Sequence, residues 1–257
     1  MKKVRITVVG GLGKMGKIIT KKILQSKYLE LNNITDIKNK KSLKKTNIEN
    51  NSLTNFKNTD VIIDFSRPNG TLEALKIAKK LNKKIVIGTT GFNNHENNLI
   101  KKFSKKIAIF KSGNMSLGIN ILQYITKILS KKISSDYQIS ITDNHHKKKI
   151  DFPSGTALML ANAIADGKNK NFKSLKGGIF FNKNSRPYKN KINFFIKRRG
   201  NTIGEHTINF NDGIENIQLK HIAFSRDLFA DGALKAALWI TKKNKGLFDM
   251  RDMLNLK

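Results

Sequence analysis

A six-residue run, Val4-Arg5-Ile6-Thr7-Val8-Val9, ends on the glycine-rich turn Gly10-Gly11-Leu12-Gly13-Lys14-Met15-Gly16. No other junction constrains the fold as strongly. β-Branched residues favour an extended strand, and glycines let the backbone turn tightly and a following helix pack close. Residues 14–24 then carry apolar side chains at Met15, Ile18, Ile19 and Ile23, the spacing of a helix with one buried face. Strand, turn and helix make the opening βα step of a doubly wound sheet, where a pyrophosphate can rest on the helix N-terminus. Gly11, Gly13 and Gly16 satisfy G-x-G-x-x-G, and Asp36 follows 20 residues later, ending a second strand expected over residues 31–35. The bare motif is common in structural turns, so its position carries the argument. In this position Asp36 would accept hydrogen bonds from the adenosine ribose hydroxyls, which favours NAD. An ordinary polar strand end is the plain alternative, and Lys38, Lys40 and Lys41 are near enough to tolerate a 2′-phosphate.

The alternation continues with strands expected at 61–65, 85–88 and 107–110 and helices at 71–81 and 93–105. Residues 38–58 are Lys/Asn-rich and read as a loop region with little core. Short apolar strands separated by helices of about ten residues indicate a parallel sheet covered on both faces. After residue 116 the pattern changes to a long helix over 117–133 and a strand at 137–142. Apolar runs at 179–181, 192–196, 206–210 and 214–221 then follow with only loops between them, as in an antiparallel or mixed sheet. A helix over 231–243 closes the chain.

The segment His145-His146-Lys147-Lys148-Lys149-Ile150-Asp151-Phe152-Pro153-Ser154-Gly155-Thr156-Ala157 concentrates acid–base chemistry. Ser154-Gly155-Thr156 precedes a run of helix formers, so it reads as a helix start whose N–H groups and hydroxyls suit a carboxylate. Taken alone, a simple cap is the readier reading. The two histidines suit proton transfer, and equally a basic surface loop. Three adjacent lysines and the absence of thiols argue against a metal site. Crowding by Lys147 and Lys148 would lower the Lys149 pKa and ease proton donation, with Asp143 and Asp151 offsetting part of it. Gly88-Thr89-Thr90-Gly91-Phe92 and Ser112-Gly113-Asn114-Met115 each follow a buried strand, where such sheets bind ligands, and each also suits a plain loop.

The formal charge is +32, which raises nucleic-acid binding as a reading. However, only 7 of the 50 basic residues are arginine, and lysine is scattered over nearly every segment, as on drifting solvated surface rather than a basic face. The 257 residues suffice for one large domain or two modest ones. With no cysteine there are no disulfides and no thiolate metal sites, which fits a reducing compartment. Arg5 and the early glycines interrupt the N-terminal apolar run too soon for a signal peptide, and no segment is long enough for a membrane helix. A cytoplasmic protein is expected.

His145-His146-x-x-Lys149-x-Asp151-x-Pro153-Ser154-Gly155-Thr156-Ala157 resembles the signature of the 4-hydroxy-tetrahydrodipicolinate reductase family, nicotinamide-dependent enzymes of lysine and diaminopimelate biosynthesis. The likeness spans the chain through Gly10 to Gly16, Asp64-Phe65-Ser66-Arg67-Pro68, Gly88 to Phe92 and Asn114 to Asn120. It continues in Gly204-Glu205-His206-Thr207 and Gly246-Leu247-Phe248-Asp249-Met250.

The resemblance implies an α/β Rossmann-type nucleotide-binding domain over residues 1–116 with 227–257. It also implies an α+β substrate-binding and tetramerisation domain with a mixed sheet over 117–226. By the same resemblance, His145 is the acid–base residue and Lys149 the proton donor, while His146, Gly155 and Thr156 hold a small dicarboxylate substrate. NADH or NADPH would contact Gly10, Gly11, Leu12, Gly13, Lys14, Met15 and Asp36, then Gly88, Thr89 and Thr90, and Ser112, Gly113, Asn114 and Met115.

The chain departs from the family's usual residues at Asp143, Asn144 and Phe152, where glutamate, a small apolar residue and alanine are usual. Leu12 and Lys14 replace a commoner glycine and arginine, and Ile37 replaces an arginine that favours NADP in some members. Phe152 would crowd the substrate pocket. The rival readings are a reductase of another small imino or amino acid and a catalytically silent, basic nucleic-acid-binding protein.

Overall fold

The computed structural model describes residues 2–36, 48–182 and 185–256. Ile37, Lys38, Lys40 and Lys41, which bear on the 2′-phosphate question, lie outside the described residues. The chain divides into two compact units, Met1–Leu117 with Arg226–Lys257 and, between them in sequence, Gly118–Ser225.

The first unit begins with β1 (Val4–Val9), α1 (Lys14–Leu24), β2 (Leu29–Thr35), β3 (Ile48–Glu49), α2 (Leu53–Phe56) and β4 (Val61–Asp64). It continues with α3 (Pro68–Lys80), β5 (Lys84–Ile87), α4 (Asn94–Ser104) and β6 (Ala108–Lys111). The chain returns to this unit after Ser225 with α8 (Asp227–Ile240), β12 (Gly246–Phe248) and α9 (Met250–Leu254). Seven parallel strands run in the order β12-β6-β5-β4-β1-β2-β3.

Each central strand is apolar and buried on both faces, because helices cover both sides. On one side Val8, Ile63 and Phe110 pack with Ile19, Ala233 and Ala237. On the other, Ile62, Ile85 and Ile109 pack with Ala74, Leu75 and Ile100. The parallel α/β reading is therefore met. The segment expected to hold little core nevertheless supplies Phe56, which is fully buried: α2 is a single turn capped by Ser52, and one aromatic side chain anchors it. The closing helix starts earlier than expected, at Asp227. Its buried face is mainly alanine with Gly232, so apolar periodicity is weak there. A Cβ on Gly232 would strike the Met115 carbonyl, so only glycine permits this approach.

The second unit holds α5 (Leu117–Lys132, which starts at the boundary), β7 (Gln138–His145), α6 (Gly155–Gly167) and α7 (Phe172–Leu175). Four further strands follow: β8 (Lys176–Phe180), β9 (Ile192–Arg198), β10 (Gly204–Asn211) and β11 (Asn216–Ala223). The sheet order is β11-β10-β7-β9-β8, with β10 antiparallel to both neighbours and β7, β9 and β8 mutually parallel, a mixed sheet as expected. Strand alternation puts Ile139 and Ile141 on the face that buries Ile192, Phe194, Ile196, Ile208 and Phe210 against α6. Ile214 proves to be a turn residue, 96% exposed, where Asp212 accepts the Ile214 and Glu215 N–H groups.

Candidate active site

The nucleotide end forms where β1, β4 and β2 finish. Strand order diverges between β1 and β4, the position at which open parallel sheets leave a crevice. Gly10 turns there with φ +77°, and a Cβ would sit 2.5 Å from the Phe65 carbonyl oxygen. A Cβ on Gly16 would collide with the Gly10 carbonyl, so the α1 terminus can lie against the turn only without one. Gly13 caps α1 without a side-chain hydrogen bond, leaving the helix N-terminus open. A cavity of about 330 Å³ lies here, lined by Gly10, Gly13, Asp36, Asn51, Ser66 and Arg67 among others. An uncapped helix end, a backbone cradle and a carboxylate at the next strand end fit a dinucleotide. Asp36 Oδ2 also accepts the Leu12 N–H at 2.9 Å, which ties the turn to the end of β2.

The remaining expected nucleotide residues divide between loop framework and exposed backbone. Lys14 is exposed, and Met15 packs partly on the core. Gly88 is needed because a Cβ would enter the Phe65 ring. The Thr89 side chain turns inward: its hydroxyl donates to Asp64 Oδ2 at 2.8 Å and accepts the Ser66 N–H at 2.9 Å. Asp64 is fully buried and also takes the hydroxyls of Ser66 and Thr71, both at 2.5 Å. Burial raises its pKa, with the three hydroxyls opposing that shift. This carboxyl, absent from the expected site, fastens the ends of β4 and β5 to the start of α3. Thr90 packs near Gly113, and the Ser112 hydroxyl donates to the Asn114 carbonyl at 2.7 Å. Met115 is 2% exposed, so its side chain belongs to the core and only its backbone can face a ligand.

The acid–base end lies wholly in the second unit and follows from sheet register. The apolar face of β7 continues past Ile139 and Ile141 into Asp143 and His145, which point the same way. On β10, His206 sits opposite Asp143, and on β9, Arg198 sits opposite His145. The core face thus ends in a polar cluster.

Asp143 is fully buried at its centre. It accepts the Ser154 N–H at 2.8 Å and the Ser154 hydroxyl at 2.9 Å. His145 Nδ1 lies 2.8 Å, Arg198 Nη2 3.4 Å and His206 Nε2 3.4 Å from its oxygens. Burial would raise the Asp143 pKa, but His145, His206 and the Ser154 N–H together hold it far below the usual carboxylate range. The two imidazoles meet edge-to-face with centroids 5.1 Å apart. Gly204 leaves room for them: a Cβ there would stand 3.2 Å from His145 Nε2.

His145 is therefore a buried strand-end residue, not part of an exposed basic loop. Lys147 and Lys148 are exposed, whereas Lys149 Nζ donates to both Asp151 oxygens at 2.7 and 2.8 Å. Asp151 supplies the expected charge offset, while Asp143 is committed to the histidines. Burial raises the Asp151 pKa, but the Lys149 hydrogen bond and charge outweigh it and hold the carboxyl below its ordinary range. Arg198 secures this loop by donating to the Asp143 and Asp151 carbonyls at 3.0 and 2.8 Å. Ser154 caps α6 by accepting the Ala157 N–H at 3.2 Å, which puts Gly155 and Thr156 in the first turn. A Cβ on Gly155 would meet nothing within 4 Å. His146 is half-buried next to this group. Phe152, expected to crowd the pocket, is 52% exposed and packs edge-to-face on Phe181.

Asp143, His145 and His206 could each direct a ligand atom at one cation. The Asp143 carboxylate, however, already takes two Ser154 donors and faces Arg198, a poor setting for a further cation.

Burial lowers the His206 pKa, with Asp143 partly opposing, and the His145 and Lys149 charges lower it further. The unfolded chain then binds more protons than the fold between the depressed folded value and about 6.5. Stability is present above that window and falls as pH drops through it. Melting temperature should therefore decrease on acidification below about pH 6.5, with a shallower decrease in His206→Gln. Identical pH slopes for the two proteins would contradict this account.

Models of the N-terminal and C-terminal parts of dihydrodipicolinate reductase match residues 4–115 and 118–254 respectively. The 4-hydroxy-tetrahydrodipicolinate reductase of Pelagibacter ubique (strain HTCC1062) is 51% identical, with 100% of each chain covered. That of Buchnera aphidicola subsp. Cinara cedri is 44% identical over 98% of this chain and 97% of its own. Among solved structures, the dipicolinate-bound dihydrodipicolinate reductase from Paenisporosarcina sp. TG-14 superposes with a TM-score of 0.78. It is 20% identical and covers 96% of this chain and 98% of its own. No helix among the described residues is long and apolar enough to cross a membrane.

Proposed function

The chain belongs to the dihydrodipicolinate reductase family, and from that premise we infer how its own residues divide the work. The activity is NAD(P)H-dependent reduction of 4-hydroxy-tetrahydrodipicolinate to tetrahydrodipicolinate, with loss of water, in lysine and diaminopimelate biosynthesis. The carrying observation is the buried Asp143–His145–His206 cluster, set at a strand end beside the Ser154 helix cap and Lys149.

Bound nicotinamide supplies the hydride, and the rest is done by the protein. Gly10 to Met15 and Asp36 would hold the nucleotide's pyrophosphate and ribose, and Gly88 to Thr90 and Ser112 to Met115 would hold its nicotinamide part. Gly155, Thr156 and His146 hold the substrate carboxylates, using the first turn of α6 as the anion site. Asp143 lies 2.8 Å from His145 Nδ1, and Nε2 is the nitrogen for proton exchange. As negative charge develops on the substrate, Lys149 delivers a proton, and Asp151 anchors its ammonium until then. The enzyme works as a homotetramer in the cytoplasm. The scattered lysines form solvated surface rather than a nucleic-acid face, and they draw anionic metabolites inward.

NADH oxidation with freshly generated 4-hydroxy-tetrahydrodipicolinate tests the assignment directly. Turnover is expected with this substrate and not with other small imino acids, and the reverse outcome would overturn it. Gly155→Ala should leave the melting temperature unchanged, since its Cβ meets no protein atom, yet raise KM at least roughly tenfold by occupying the carboxylate's place. An unaltered KM would remove Gly155 from the substrate site. With Asp36 at the ribose position, kcat/KM for NADH should equal or exceed that for NADPH. Arg67 in the same cavity leaves NADPH usable. A clear NADPH preference would refute the role given to Asp36.

A further inference from the structure

At the opposite end of the second unit's sheet from the histidines lies a cavity of about 640 Å³. Ile139 lies six residues before His145 on β7, and at a rise of about 3.3 Å per residue the two ends are about 20 Å apart. The floor is apolar, formed by Ile139, Leu175 and Ile192. Four lysines are among its lining residues, Lys131, Lys168, Lys170 and Lys191, against one acidic residue, Asp136. That carboxylate already accepts the Ser134 hydroxyl at 3.0 Å, and Lys191 donates to the Ser174 carbonyl at 2.6 Å. Among the described residues, Lys131, Lys168 and Lys170 have no ion-pair partner.

Lys168 is half-buried, and burial together with the Lys170 charge depresses its pKa, the condition of a cation whose counter-charge is missing. Ser130, also in the lining, is 1% exposed, and its Oγ has no hydrogen-bond partner. Surface lysines on a charged chain need neither an apolar floor nor a buried unpaired hydroxyl, and buried polar groups ordinarily find partners.

We propose that this cavity binds a small organic anion, with its apolar body on Ile139, Leu175 and Ile192 and its carboxylate or phosphate on Lys168 and Lys170. Ser130 lies beneath as a further donor. The site is separate from the catalytic one and does not depend on the roles assigned there.

The test uses the full chain with NADH saturating, titrated with 1-naphthyl phosphate and with 1-naphthoate and followed by naphthyl fluorescence. Saturable binding is expected for at least one probe, and the tighter of the two identifies the preferred anionic group. Binding should persist in Gly155→Ala. It should weaken by roughly tenfold or more in Lys168→Gln/Lys170→Gln, with NADH oxidation unchanged. Lys170→Gln alone, at an exposed position, should show part of this loss and guards against misfolding of the double variant. Absence of saturation, affinity unchanged in both lysine variants, or inorganic phosphate competing as tightly as the naphthyl probes would overturn the proposal.

Discussion

Lys149→Ala is expected to lower kcat by roughly 10²–10⁴-fold, the range for lost acid–base assistance, with NADH affinity and melting temperature unchanged. Among the described residues the Lys149 ammonium donates to Asp151, itself a largely exposed partner, so on the role proposed for it the substitution removes a proton source from the site. His145→Ala should fall in the same range, because the proposed acid–base ring lies against Asp143 at this end. If the two residues act as a unit, the double variant will lose little more than either single one. Steady-state NADH oxidation with fresh substrate measures all three. Full activity in both single variants would sink the assignment.

The second large effect is on stability. Asp143→Ala leaves the half-buried Arg198 guanidinium and the Ser154 N–H without their carboxylate, and breaking a buried charge cluster from one side costs about 3–5 kcal/mol. For a chain of this size the melting temperature should fall by roughly 6–20 °C. The Asp143 pKa is depressed in the fold, so its contribution is complete above the unfolded value of about 3.9 and is lost as pH falls below it. The gap between wild type and variant should accordingly be wide at pH 7 and close in acid. Equal melting temperatures at pH 7 would show that the cluster does not hold the second unit together.

Much of the first unit was legible because its strands are continuous β-branched runs and its turns are marked by glycine. β1 and α1 fall at the expected residues. Phe56 was missed because one aromatic residue in a polar stretch has no period, and β12 because three residues are too few to show one. In the acid–base segment, His145, Lys149 and the Ser154 cap could be read from local chemistry. His206 and Arg198 could not, since they reach Asp143 across β10 and β9 from more than 50 residues away, and only strand register brings them there. Asp143 registers in the sequence as a departure from the family's usual glutamate and as a partial charge offset for Lys149, not as the centre of a cluster. Alternating burial along residues 139–145 was the available signal, because a carboxylate in phase with Ile139 and Ile141 must be buried and therefore partnered.

The strand β12 pairs with β6, and α8 lies in the core of the first sheet, although more than 100 residues of the other unit intervene. During synthesis, the segment ending at Ser225 leaves the ribosome with all of its own strands present. The nucleotide-binding unit, begun first, waits for Arg226–Lys257 to add β12 beside β6 and cover its apolar face. The order of translation is thus the reverse of the order of completion. Meanwhile the nascent chain carries an unfinished parallel sheet with an open edge, the surface that chaperones and premature association act upon.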